Sequence, residues 1–358
     1  MNNYKFWEKY LSDLRVKLND LLKEKDIFYI DLHMHSNNSS DSNYSLEEIL
    51  ECTKNLDIIS VTDHDSLDFY DELYNYLKEH KIDKPLIIPG IEFTISDKVY
   101  FSQCHILEYF VNPKDKDVVK NVKTNKEASY KRTKEQFKRL KYNKGFMYYV
   151  NKYNIKISYL EYINSINELP DYASLFEYLM HKLNEYNVSA KDVLDKCEYY
   201  YLMDDYVDRN KTIKDRFNYL KEKYKDNNDL YNPRLLSSVV ALRGVDDDMY
   251  PNYSKIGSLS VNHYGQITMD ELNNKYPLVF AHPNKDKMDY VESKIKLFSG
   301  IESNTTNKNE DVTRIRKIVK DNDLFITIGS DSHKPNMYLD IEKYKISKEE
   351  LEKICKKN

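Results

Sequence analysis

Residues 27–36 read Ile27-Phe28-Tyr29-Ile30-Asp31-Leu32-His33-Met34-His35-Ser36, a short apolar run that ends in two histidines beside an aspartate. Side chains two apart on a strand point to the same side, so His33 and His35 offer two imidazoles to one metal ion. Working outward, the same pattern recurs. The run 58–61 leads into Thr62-Asp63-His64-Asp65, the run 86–88 leads through Pro89-Gly90 to Glu92, and His105 lies within the run 99–110. Helices are predicted from Ser45 and from Ser66, and apolar runs alternating with helices imply β/α units with a parallel sheet. Upstream, Phe6, Tyr10, Leu11, Leu14, Leu18, Leu21 and Leu22 share one face of an amphipathic opening helix over 3–25.

From 113 to 274 the texture changes to long polar helices rich in Lys, Tyr and Asn, which read as a mostly α-helical insertion. The β/α texture resumes with runs at 277–281, 297–302 and 324–328 and a helix around 311–319. The expected divisions are an N-terminal helix (1–26), a first β/α part (27–112), the insertion (113–274), a second β/α part (275–345) and a C-terminal helix (346–358). There is no repeat at solenoid periods.

A chain of 358 residues has room for one large core or two ordinary ones. With only 7 glycines against 33 tyrosines, a Gly-rich dinucleotide loop or P-loop is not expected. The net charge of −4 favours neither a nucleic-acid partner nor an acidic surface for the chain as a whole. Four cysteines without a CxxC pair imply unpaired thiols in a cytoplasmic protein. No apolar run approaches the ~20 residues of a membrane span, so no membrane partner is expected.

Six of the nine histidines stand at or within strand-like runs, most of them beside carboxylates: His33, His35, His64, His105, His282 in Ala281-His282-Pro283, and His333 in Gly329-Ser330-Asp331-Ser332-His333. Reactive residues of β/α barrels gather at the C-terminal ends of strands, so these would converge. His80, His181 and His263 lie in polar helical or loop contexts and read as surface residues.

The ordered series DLHMHS, SSDS, TDHD, PGIE, CHILEYF, AHP and GSDSH closely resembles the PHP (polymerase and histidinol phosphatase) domain. That family is a distorted seven-stranded β/α barrel whose members bind up to three metal ions and mostly hydrolyse phosphoesters. The resemblance spans roughly residues 27–112 and 275–340. It implies an α/β fold, a distorted (β/α)7 barrel interrupted by the helical insertion. It further implies that His33, His35, Glu92 and Asp331 hold one metal, that Glu92 bridges to a second held by His105 and His282, and that Asp41, His64 and His333 hold a third. The expected cofactors are up to three divalent ions, Mn²⁺, Fe²⁺ or Zn²⁺, since a His and carboxylate set without thiolate suits each of them.

The expected reaction is in-line attack on a phosphoester by a hydroxide shared between two ions, with the third ion taking a phosphate oxygen or the leaving oxygen. Asp31 and Asp65 flank the ligand pairs and are expected either to orient imidazoles or to cap strand ends. Glu302, in Gly300-Ile301-Glu302-Ser303-Asn304, follows a strand-like run and is left without a role.

Between Pro113 and Gly145 twelve basic residues face four acidic ones. Within this run Arg132 and Arg139, seven apart on one helical face, are the candidate phosphate grips. The expected substrate is a nucleotide, a short oligonucleotide or a small phosphorylated metabolite. A helical insertion also interrupts the barrel in the nucleotide-cleaving branch of the family, although the Arg-Pro-His element of that branch is missing from 169–180. The Tyr-rich stretch from Tyr199 to Tyr206 offers base-stacking faces or simple packing. Two other readings stay open: a non-catalytic metal-stabilised module that recruits a protein partner through the insertion, and an amidohydrolase-type hydrolase, which also begins with HxH but commonly uses a bridging lysine.

Overall fold

The computed structural model describes residues 3–39, 41–97, 101–166, 169–202, 211–227, 229–240, 265–272, 275–283, 285–335, 338 and 340–356. The chain divides into two compact units, one built from 1–126 and 265–358, the other from 127–264. The second unit is shorter than the expected insertion of 113–274. Its flanks stay with the first unit because Asn125 donates to Asp65 and Thr94 and accepts from the Ile267 amide.

In chain order the first unit opens with α1 (Asn3–Glu24), whose Trp7, Leu14, Leu18 and Leu22 are buried. Then come β1 (Ile27–Met34), α2 (Leu46–Thr53), β2 (Ile58–Val61), α3 (Asp68–Glu79), β3 (Leu86–Ile87), β4 (Gly90–Asp97) and β5 (Phe101–Tyr109). The serine expected to start a helix at 45 does so through a reciprocal capping box with Glu48. Helix α4 (Lys116–Leu140) carries the chain across the unit boundary.

The second unit's described residues form helices α5 (Lys144–Tyr153), α6 (Tyr159–Ser165), α7 (Tyr172–Asn184), α8 (Ala190–Leu202), α9 (Lys211–Lys223) and α10 (Pro233–Val240). They enclose a core that includes Phe146, Leu175, Phe176, Leu179, Cys197 and Leu236. Tyr199 and Tyr200 lie on α8, whereas Tyr206 lies outside the described residues. The chain returns to the first unit with β6 (Leu278–Phe280), α11 (Lys285–Ser293), β7 (Gly300–Asn304), α12 (Asn309–Asp321), β8 (Phe325–Gly329), β9 (Lys345–Ser347) and α13 (Lys348–Lys356).

The fold of the first unit is mixed α/β with two sheets. One is ordered β3-β2-β1-β9 and the other β4-β5-β6-β7-β8. The expected parallel pairing holds for β1-β2-β3 and for β6-β7-β8, whereas β5 runs antiparallel to both β4 and β6. Adjacent antiparallel strands need only a short link, and no helix fits between 97 and 101. β9, antiparallel to β1, has no counterpart in the sequence reading.

Among the described residues the ladders form two open sheets, not one closed barrel. At one end the sheets are joined by isolated bridges, Met34 with Ser332 and His64 with Glu92. β2 and β8 are buried along their whole length, which is why they read as continuous apolar runs without alternation. No described helix is long and apolar enough to cross a membrane.

Candidate metal centre

The sheet-joining bridges sit where the expected ligands fall. Past β1 the His35 amide donates to the Ser332 carbonyl (2.9 Å), and the Asp331 amide donates to the His33 carbonyl (2.8 Å). Ser36 donates both its amide and its hydroxyl to Asp63, each at 2.6 Å, which pins the loop that carries Asp41. After β2 the Asp65 amide donates to the Glu92 carbonyl (2.9 Å). Three turn residues here hold left-handed backbones, Asp65 (φ 48°), His282 (φ 29°) and Asp331 (φ 55°). Such conformations cost of order 1–3 kcal/mol each and persist only where the surroundings impose them.

These turns bring all nine expected ligands together. Three groups of ligand atoms can hold a metal: His33, His35, Glu92 and Asp331; His64, Glu92 and His105; and His35, Asp41, His64 and His333. In the first, His33 Nε2 lies 3.2 Å from His35 Nε2, 3.1 Å from Glu92 Oε2 and 3.4 Å from Asp331 Oδ1. His35 Nε2 lies 3.2 Å from both Glu92 Oε2 and Asp331 Oδ1. These five distances of 3.1–3.4 Å are of the size found between neighbouring ligand atoms around one bound ion.

Glu92 divides its oxygens. Oε2 faces His33, His35 and His64 (3.0 Å from its Nδ1), while Oε1 faces His105 Nδ1 (3.0 Å) and His282 Nε2 (3.2 Å). Farther out, Asp41 Oδ2 is 3.0 Å from His333 Nε2 and 3.7 Å from His64 Nε2. The floor of the cluster, His33, His35 and Glu92, is fully buried, whereas the Asp41 and Asp331 side chains are about one third exposed.

Burial and charge compete throughout. Burial works against a charged His33, yet Glu302 and Glu92 hold its pKa well above the usual value. His35 is likewise pushed up to about 10, against burial, by Asp331 and Glu92. His64, next to His35 and His105, yields to burial and falls to about 3. Burial opposes ionisation of Glu92, Asp41 and Asp331, but neighbouring imidazoles keep all three below the ordinary carboxylate range. Raised imidazoles thus stand beside lowered carboxylates, and divalent cations would meet the same demand for positive charge. Glu92 Oε2, His64 Nδ1 and His333 Nε2 are also buried without a hydrogen-bond partner among the described residues. The donor set thus fits a metal: hard and borderline ligands, orphaned lone pairs and matching spacings.

Of the two roles expected for Asp31 and Asp65, the bonds present match bracing at strand ends and not orientation of imidazoles. Asp31 touches no imidazole; it accepts from the His33 and Ser330 amides and from the Tyr338 hydroxyl. Asp65 accepts from the Thr94 amide and from Asn125. Both brace backbone at strand ends because their short side chains reach the adjoining turn before any ring. Glu302 is the carboxylate that meets an imidazole, with His33 Nδ1 2.8 Å from its Oε1. Sequence reasoning also passed over Asp63, for which its place beside His64 was the only signal.

Arg132 and Arg139 belong to the second unit. Arg132 is buried and donates to Ser129 Oγ (3.1 Å), and Arg139 Nε lies 3.5 Å from Glu135.

No family model matches the chain, and no curated protein matches it. Among solved structures, an amidohydrolase from Chromobacterium violaceum, with bound sulfate and no metal, is 14% identical over 89% of this chain and 98% of its own, with a TM-score of 0.47. A candidate metal-dependent phosphoesterase from Bifidobacterium adolescentis is 15% identical over 85% and 87%, with a TM-score of 0.48. PsfC from Pseudomonas syringae is 12% identical over 86% and 78%, with a TM-score of 0.31. At such scores none of the three bears on fold or chemistry, and the functional reading rests on the residues themselves.

Proposed function

We propose that the chain is a metal-dependent hydrolase of phosphoesters that uses up to three divalent ions, with a nucleotide, short oligonucleotide or small phosphorylated metabolite as substrate. The observation that carries this is the four-cornered set of His33, His35, Glu92 and Asp331, which shares Glu92 with further imidazoles. Phosphoesters are favoured over amides by the order of motifs from DLHMHS to GSDSH. The proposal also takes the two sheets as parts of one distorted seven-stranded barrel, β1, β2 and β4–β8, which supports strand-end ligands converging at one rim.

When bound, the ions supply Lewis acidity and lower the pKa of coordinated water. The residues that would hold them are His33, His35, Glu92 and Asp331 for one, His105 and His282 with Glu92 for a second, and Asp41, His64 and His333 at the outer edge for a third. The buried floor keeps bulk water from these ligands, and the partly exposed Asp41 and Asp331 leave the outer edge open to a substrate. Phosphate contacts by Arg132 and Arg139 are a separate proposal for the second unit, and they require Arg132 to give up Ser129 and Arg139 to give up Glu135.

The test is metal analysis of purified protein, with hydrolysis assays on bis-p-nitrophenyl phosphate, p-nitrophenyl phosphate, short 5′-phosphorylated RNA and a set of amides and lactones, each with Mn²⁺. Turnover of a phosphoester is expected. Metal bound without turnover of any phosphoester sinks the reading, and turnover confined to amides or lactones transfers it to the amidohydrolase type.

A further inference from the structure

We infer that Glu302 is a positioning residue that couples two of the proposed metal positions, an inference that rests on the metal-centre reading above. Glu302 stands on β7, between β6, which leads into His282, and β8, which leads into Asp331. Its side chain is fully buried, and its two oxygens serve two different ligands. Oε1 is the acceptor for His33 Nδ1 at 2.8 Å, and Oε2 accepts the backbone amide of His282.

Each bond fixes something a metal needs. In a neutral imidazole one nitrogen carries the proton and the other the lone pair, so a carboxylate at Nδ1 leaves the lone pair on Nε2, facing Glu92 and Asp331. The amide bond holds His282 at φ 29°, a backbone that aims its Nε2 at Glu92 Oε1. Gly329 gives independent support. A Cβ there would lie 2.1 Å from Glu302 Oε1 and 2.4 Å from the His33 Cβ, so the backbone of β8 is cut away to admit this contact. The second floor imidazole differs: His35 Nδ1 is buried with no partner among the described residues, so there the carboxylate support is specific to His33.

Glu302→Gln tests the coupling because it is isosteric yet carries one acceptor for two donors. Whichever way the amide turns, either His33 Nδ1–H or the His282 amide faces an N–H. The experiment titrates metal-free wild type, Glu302→Gln and Gly329→Ala with Co²⁺, reads the visible absorption bands and equivalents bound, and records the melting of each metal-free protein.

Wild type is expected to bind more than one equivalent. Both variants are expected to lose about 10- to 100-fold in affinity in more than one binding phase and to show altered bands, with metal-free melting of Glu302→Gln near that of wild type. Wild-type affinity and bands in Glu302→Gln overturn the role of Glu302, and weakening of a single phase overturns the coupling. Loss of metal binding matched by collapse of the metal-free melt in both variants reduces Glu302 to a packing role and also overturns it. Wild type that binds no Co²⁺ overturns the metal-centre reading itself.

Discussion

The first unit buries Asp31, Asp63, Glu92 and Glu302 together with His33 and His35, whereas the buried polar side chains described in the second unit are Thr133, Gln136, Asn143, Ser189, Ser237 and one charged group, Arg132. The second unit's groups are spent on its own helices. Asn143 caps α5 by accepting from the Phe146 amide, and Ser189 and Asp192 bond reciprocally at the start of α8. Left-handed backbone follows this division in part. In the second unit it falls on Asn154 and Asn187, a residue type that tolerates it after helices, whereas in the first it falls on Asp65, His282 and Asp331 around the proposed centre and also on Phe110, Asp323 and Tyr338. Among the described residues, the second unit's one buried charge is an isolated arginine, whereas the first unit gathers several carboxylates and imidazoles in one place, which is what the proposed metal centre accounts for.

The largest expected effect breaks this comparison if it fails. His33→Ala removes one of the four ligands proposed for the buried position, so hydrolysis is expected to fall at least ~100-fold, with a matching fall in bound metal. Steady-state kinetics and elemental analysis of the same preparation check it. Asp331→Asn is expected to behave alike, and wild-type turnover in a His33→Ala, His64→Ala double variant would end the mechanism.

A matched pair of glycines sharpens the comparison. A Cβ at Gly329 meets Glu302 and His33, while a Cβ at Gly145 meets Cys197, 2.4 Å from Sγ and 2.5 Å from its amide nitrogen. Both substitutions overpack, which costs about 1–3 kcal/mol, but they push on different things. Gly329→Ala is expected to lower metal content, and Gly145→Ala to lower thermal stability with metal content unchanged. Equal loss of metal in both would erase the distinction between the units.

The convergence of the candidate ligands was legible because strand geometry is local. A period of two puts His33 and His35 on one side, and short apolar runs mark where strands end. Gly90 and Gly329 mark close approach and not positive φ: a Cβ at Gly90 would lie 2.6 Å from Ser60 Oγ, and one at Gly329 would meet Glu302 and His33. What stayed hidden depends on partners distant in sequence. Glu302 reads as any strand residue until β6 and β8 flank it. Asp31 resembles a partner for imidazole until Ser330 and Tyr338 arrive from the far end of the chain. Arg132 and Arg139 share a helical face as expected, but burial and Glu135 already engage them, which spacing does not reveal.

The smallest expected effect concerns a buried carboxyl in the first unit, Glu108. On the paired strands β4 and β5, Glu92 stands opposite Leu107 and Glu108 opposite Ile91, so the two carboxyls occupy opposite faces of the same ladder. Glu92, among imidazoles, is held well below the usual range. Glu108 is pushed up to about 8 by burial, with Asp115 adding to it, and its Oε2 has no hydrogen-bond partner.

A carboxyl whose folded pKa is raised stays protonated in the native state while the unfolded chain ionises. Its linkage therefore lowers stability as pH rises from the unfolded value near 4.5 to about 8, with no further loss above that. Glu108→Gln keeps the size and removes the proton. It is expected to be near-neutral below pH 4.5 and to stabilise at pH 8 by at least about 1.4 kcal/mol, the worth of one pKa unit. Denaturant unfolding of both proteins across this pH range measures the difference. A variant destabilised equally at every pH would mean that the carboxylate is bonded in the native state. Burial by itself would then no longer separate Glu108 from the acids of the centre.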